Sequence, residues 1–127
     1  MKSLLLSLLM NWHHPIPQES LSVEPMRLYH IAQCERGIAS YYHSSLHGNL
    51  TASGSRFDAS ALTVAHRQLP FGTRVRVVNL YNSRSVDCTV TDRGPFIDGR
   101  IIDLSPRAAG RLGMKKQGLA MVEVHIL

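Results

Sequence analysis

Val90-Thr91-Asp92-Arg93-Gly94-Pro95-Phe96 is a β-branched run that ends on a carboxylate and breaks at once into a Gly-Pro turn. Upstream, Val86, Cys88 and Val90 alternate with Ser85, Asp87, Thr89 and Thr91, the period-two pattern of a strand with one buried face. Such a strand delivers Asp92 to its end, where the glycine that follows lets backbone come close to a ligand. An acid so placed can be presented to substrate by a rigid scaffold. The same residue type also caps the turn it opens, and the local pattern fits either role.

Working outward, residues 73–80 put Val75 and Val77 on one face opposite Arg74, Arg76 and Val78, and Tyr81-Asn82-Ser83 closes a hairpin onto residues 84–91. Past the Asp92 turn, residues 97–100 read as loop and Ile101-Ile102-Asp103-Leu104 as a short buried strand. Ser105-Pro106 then opens a helix, with Ser as N-cap and Pro at the first helical position, and Gly113 stops it. Residues 121–127 alternate again and give a final strand. On the other side, residues 37–42 have the composition of a first strand, residues 43–55 form a small-residue loop, and residues 57–66 read as a short helix or turn capped by Asp58. Strands dominate and helices are short, which predicts a small closed barrel, since closure removes exposed sheet edges.

A chain of 127 residues supports one domain with a real core, and 44% hydrophobic against 18% charged residues describes a globular body. The formal charge is +5 and the basic residues are mostly Arg, a balance suited to an anionic partner and to planar recognition of carboxylate or phosphate. No nucleic-acid motif or basic cluster is present, so nucleic acid is not the expected partner. Met1-Lys2 followed by an apolar stretch to Met10 is too short for a membrane span and resembles the core of a secretory signal, although no small-residue cleavage site follows. Residues 1–36, with Pro15, Pro17 and Pro25, read as a signal-like flexible segment ahead of a domain at 37–127. Ile31-Ala32-Gln33-Cys34 departs from a lipoprotein processing box at Gln33, so no lipid anchor is expected. Cys34 and Cys88 can pair in an oxidising compartment, or Cys88 can be a buried thiol. His43 and His47 are four apart, but Gly48 and the loop composition argue against their convergence, and no metal or cofactor is expected.

Several stretches taken in order resemble one family: Gly37-Ile38-Ala39-Ser40-Tyr41-Tyr42, Thr51-Ala52-Ser53-Gly54, Leu62-Thr63-Val64-Ala65-His66, Leu69-Pro70-Phe71-Gly72-Thr73, Asp92-Arg93-Gly94-Pro95-Phe96 and Gly99-Arg100-Ile101-Ile102-Asp103-Leu104-Ser105. The ordered set is similar to the rare lipoprotein A (RlpA) domain, a double-psi β-barrel related to barwin and the expansins. The resemblance implies a mainly β, six-stranded double-psi β-barrel with one or two short helices. It also implies an exported protein of the bacterial periplasm or cell envelope that acts, as a monomer, on peptidoglycan glycan strands as an endolytic lytic transglycosylase. The family's catalytic aspartate falls on Asp92 and the histidine it places near the active site on His66. The family commonly has an acid where this chain has Ser55, and usually Trp at Tyr41, where a sugar-stacking face is kept.

A lytic transglycosylase uses the sugar's own C6 hydroxyl as nucleophile, so one residue can give a proton and then take one. Asp92 is therefore the expected acid/base, with His66 assisting. Tyr41, Tyr42, Thr51, Ser55 and Phe96 are expected to line the groove, and Arg93 and Arg100 to hold the lactyl carboxylates of the glycan. Asp103, between Ile102 and Leu104, is expected to be a structural acid bonded across the barrel. Ser55 also keeps open a non-catalytic or attenuated, expansin-like wall-binding module.

Overall fold

The computed structural model describes residues 34–127; the signal-like stretch, the Pro-containing linker and most of the lipoprotein-like box lie outside the described residues. Six strands, β1 (Cys34–Tyr41), β2 (Thr63–Ala65), β3 (Arg74–Asn79), β4 (Ser85–Asp92), β5 (Arg100–Leu104) and β6 (Ala120–Ile126), close into a barrel in the order β1-β5-β2-β4-β3-β6. The β1/β5 and β2/β4 pairs are parallel and the other four antiparallel. This is the mixed six-stranded barrel that the family resemblance implies.

Alternation along the strands builds the core. Val75, Val77, Val86, Cys88, Val90, Ile102, Leu104, Val122 and Val124 point inward and are buried, each such side chain contributing about 1.5–3 kcal/mol of transfer free energy. Helix α1 (Pro106–Leu112) adds Ala108, Ala109 and Leu112 to the same core. Ser105 caps it by accepting from the Ala108 N–H, and Gly113 ends it in the left-handed conformation at φ 68°, as the sequence predicts.

One strand begins earlier than expected, and the stretch read as helix or turn takes the turn, followed by a short strand the sequence does not announce. Strand β1 begins at Cys34, because Cys34, Glu35 and Arg36 pair with His125, Val124 and Glu123 of β6, a partner too distant in sequence to leave a local signature. Residues 57–66 form no helix. They run as turns into β2, whose three residues are held between β4 and β5; Asp58 instead caps a turn, accepting from both the N–H and the hydroxyl of Ser60. Cys88 is in the core and Cys34 is exposed on β1, and both thiols are free.

Candidate active site

The short strand β2 organises the site. Ala65 is paired on one side with Asp92 of β4 and on the other with Asp103 of β5, and Asp103 is paired in turn with Ser40 of β1. One row thus reads Ser40, Asp103, Ala65, Asp92. Two strand spacings separate the acids, roughly 10 Å between their Cα atoms, and the residue between them has only a methyl side chain. The register slips next to Ala65, since Val64 pairs with Val90 but Ala65 with Asp92. Thr91 is the extra residue, and a bulge of this kind re-aims the side chain that follows it.

Asp92 is held by three donors. Its Oδ1 accepts from the Ala52 and Arg93 N–H groups at 2.8 and 2.9 Å, and its Oδ2 accepts from the Tyr42 hydroxyl at 2.5 Å. Ala52 reaches it because the β1–β2 loop folds over the end of β4: the Ser53 N–H donates to the Thr91 carbonyl and the Gly54 N–H back to Thr51. Within that loop the hydroxyls of Thr51, Ser53 and Ser55 are mutually bonded at 2.9–3.0 Å. Thr51 is buried and Ser55 exposed. The Tyr42 ring packs against buried Phe57 at 4.8 Å. Burial first, and the neighbouring Asp92 second, push the Tyr42 phenol well above its ordinary range, so it stays a donor.

Asp103 is set differently. Its Oδ1 accepts from the Ser40 hydroxyl. Oδ2 receives no hydrogen bond from the described residues, and no buried polar side-chain atom among them is left unsatisfied, so Oδ2 is not sealed from solvent. Burial pushes its pKa up, the Ser40 bond and the Arg100 charge oppose this, and the Asp92 charge adds to the rise. The expected structural role thus accounts for one of its oxygens only. Gly94, at φ 124°, closes the turn beside it: a Cβ there would lie 3.6 Å from the Phe96 ring and 3.8 Å from Asp103 Oδ2. Phe96 itself is 80% exposed and offers a free aromatic face next to the acids.

Of the remaining expected site residues, Arg100 stays close enough to act on Asp103, while the side chains of His66, Arg93 and Tyr41 are engaged elsewhere. His66 is buried, with Nδ1 accepting from the Gln68 and Leu69 N–H groups and Nε2 on Glu35 at 2.9 Å. Those partners fix the Nε2–H tautomer. Its link to Asp92 is backbone only, through the His66 N–H and the Asp92 carbonyl at 3.1 Å. The His66 ring instead borders a pocket of about 250 Å³ shared with Glu35, Arg67, Gln68, Gly99 and Ile101. Arg93 spends one guanidinium nitrogen on the His66 and Leu69 carbonyls, at 3.2 and 2.8 Å, and stacks on Phe71 at 4.0 Å, so it pins the 66–71 turn to the end of β4. Arg100 is half-buried, with its charge felt at Asp103. Tyr41 points away from Tyr42, as strand alternation requires, and its hydroxyl donates to the Lys115 carbonyl. His43 and His47 do not converge: their Nδ1 atoms serve Ser45 and the Ala59 N–H. Sequence reasoning missed the Ala52 N–H, Ser40 and Phe57. A backbone donor has no residue signature, and the other two matter only through pairings across the barrel.

A family model described as lytic transglycolase matches residues 34–124. A probable endolytic peptidoglycan transglycosylase RlpA of Synechocystis sp. is 50% identical over 97 residues, covering 76% of this chain and 30% of that protein. The chain thus spans less than a third of that relative's length. Among solved structures, the Streptomyces papain inhibitor matches with a TM-score of 0.61 at 28% identity, covering 75% of this chain and 94% of the inhibitor. An expansin of Clavibacter michiganensis matches in fold, with a TM-score of 0.59 at 22% identity, over 74% of this chain and 50% of the expansin. With its barrel order, its parallel pairs and the matched span in agreement, the chain belongs to the lytic transglycolase family of double-psi β-barrels.

Proposed function

We propose that this domain cleaves peptidoglycan glycan strands as an endolytic lytic transglycosylase, in the bacterial periplasm or cell envelope and as a monomer. The observation that carries the reading is the pair of carboxylates flanking Ala65, one surrounded by donors and one with a raised pKa and an open oxygen. Asp103, protonated, gives its proton to the glycosidic oxygen between MurNAc and GlcNAc. The C6 hydroxyl of MurNAc attacks C1 as that bond breaks, and its proton passes to Asp92 Oδ2, which among the described residues accepts from the Tyr42 hydroxyl alone and keeps a lone pair free. The products are a 1,6-anhydro sugar and a strand with a free hydroxyl. Proton exchange with water then restores both acids.

Phe96 offers a stacking face to a sugar ring, Arg100 is placed to meet a lactyl carboxylate near Asp103, and the Thr51, Ser53 and Ser55 hydroxyls supply polar contacts on the other flank. His66 and Arg93 act here as positioning residues, holding the turn that frames the end of β4.

Digestion of peptidoglycan stripped of stem peptides, followed by mass spectrometry, tests this. Anhydro products are expected from the wild type, with Asp92→Asn and Asp103→Asn each losing them. No anhydro product under conditions where the Synechocystis relative works would overturn the enzyme reading. Glycan pulldown without product, with turnover gained in Ser55→Glu, would instead support an attenuated wall-binding module, the reading that the hydroxyl at position 55 favours.

A further inference from the structure

The first and last strands carry a second cluster of side chains, remote from the acids. Cys34 of β1 is paired directly with His125 of β6, and Arg36 with Glu123. Strand alternation puts all four on one face, opposite Val122 and Val124, which enter the core. The Cys34 thiol, a Glu123 carboxylate oxygen and a His125 ring nitrogen all lie within 4.8 Å of one another. Cys34 is exposed and the other two are half-buried, so the cluster is open to solvent. We propose that Cys34, Glu123 and His125 bind a thiophilic divalent cation of the Zn²⁺ class on the outer face of the β1/β6 pair.

The donor set fits that ion. Thiolate, imidazole and carboxylate are the three side-chain ligands Zn²⁺ takes, at roughly 2.0–2.3 Å in tetrahedral geometry, and donors within 4.8 Å of each other need only small rotations to meet it. The carboxylate is already divided as such a site requires: Glu123 Oε1 faces His125 Nε2 at 2.6 Å, while Oε2 accepts from Arg36 Nε at 2.6 Å. An ion entering between Oε1 and Nε2 leaves the Arg36 bond in place, where it orients the ligand from outside. Arg76, the β3 neighbour of His125, has its charge taken by Asp87 through bonds of 2.8 and 3.1 Å. On binding, the Cys34 thiol loses its proton to solvent, and the one charge gained on sulfur joins that of the Glu123 carboxylate, already ionised against Arg36, in offsetting the cation. Three protein ligands leave the fourth position to water. The site lies six residues along β1 from Ser40, about 20 Å, so it clasps the barrel's closing seam and takes no part in the sugar chemistry.

Titration of the full chain with Zn²⁺ alone, and separately with Co²⁺ alone, tests the site. One ion per chain is expected, with a thiolate-to-cobalt charge-transfer band in the near ultraviolet and a higher melting temperature with Zn²⁺. Cys34→Ser should remove the band, His125→Gln should shift its appearance to higher Co²⁺ concentration, and each should weaken Zn²⁺ binding by roughly tenfold or more, with the apo circular dichroism spectrum unchanged. Arg36→Ala should weaken binding less and keep the band. Stoichiometric binding that persists in the Cys34→Ser/His125→Gln double variant, or a cobalt spectrum lacking the thiolate band, would overturn the proposal.

Discussion

Asp92 and Asp103 carry the same functional group and are set apart by what touches them. Among the described residues three donors converge on Asp92, whereas Asp103 has one hydroxyl partner, is half-buried between the charges of Arg100 and Asp92, and keeps an oxygen without a hydrogen bond. Asp92→Asn keeps an oxygen for the Ala52 and Arg93 N–H groups, and the Tyr42 hydroxyl can rotate to accept from the new amide. The variant should therefore fold normally and lose about 10²–10⁴-fold in turnover, the range for removing a proton-transfer group, measured as anhydro-product release. Asp103 has a folded pKa raised above its unfolded value. Its neutral form is therefore favoured in the native state: its contribution to stability is fully present below the unfolded carboxylate range near about 4 and is lost as pH rises through the raised folded value. Activity that needs its proton falls over the same rise. Ser40→Ala removes a bond that lowers this pKa, so the alkaline limb of kcat/KM against pH should move upward; a limb that stays in place would remove Asp103 from the proton path. In Asp103→Asn, melting temperature at neutral pH should be unchanged or higher while turnover collapses. Asp92 was legible because a strand pattern ends on it. The use of Asp103 was not, since its flanking Ile102 and Leu104 announce burial but say nothing of which oxygen faces out.

At the scale of elements, β3, β4, α1 and β6 follow from local pattern, because period-two alternation and the Ser-Pro start and Gly stop are written in adjacent residues. Strand β2 was not legible. Three residues are too few to show a period, and Val64 and Ala65 become strand only through β4 and β5 on either side. The Thr91 bulge is likewise a property of the pairing and not of Thr91. Ala65 is fully buried between the two acids, so Ala65→Val should overpack that row at a cost of about 1–3 kcal/mol, with kcat falling further than the change in melting temperature implies. Ser105 joins two elements, accepting from the Ala108 N–H while donating to the Ala61 carbonyl at 2.6 Å. Ser105→Ala should cost about 1–2 kcal/mol in denaturant unfolding, with the 58–62 turn loosening first in hydrogen exchange.

For the molecule as a whole, closure decides which sequence-distant residues become neighbours, and that is why the outer cluster of Cys34, Glu123 and His125 escaped a reading that looked for ligands at short spacings. The core is small and Val-rich, and Leu112 reaches it from α1 with no exposure. Leu112→Ala should therefore destabilise the fold by about 2–5 kcal/mol as the midpoint of urea unfolding shifts. Among the described residues no helix is long and apolar enough to cross a membrane. The antiparallel partnership of β1 and β6 has a topological consequence. The two ends of the barrel sequence emerge side by side, with Cys34 opposite His125, while Ser40 and Tyr42 sit toward the far end of β1. A circular permutant that bridges those ends with a few residues and opens the chain at the exposed Tyr81 turn would preserve every strand pairing, so the order of elements along the polymer is separable from the shape that sets the two acids side by side.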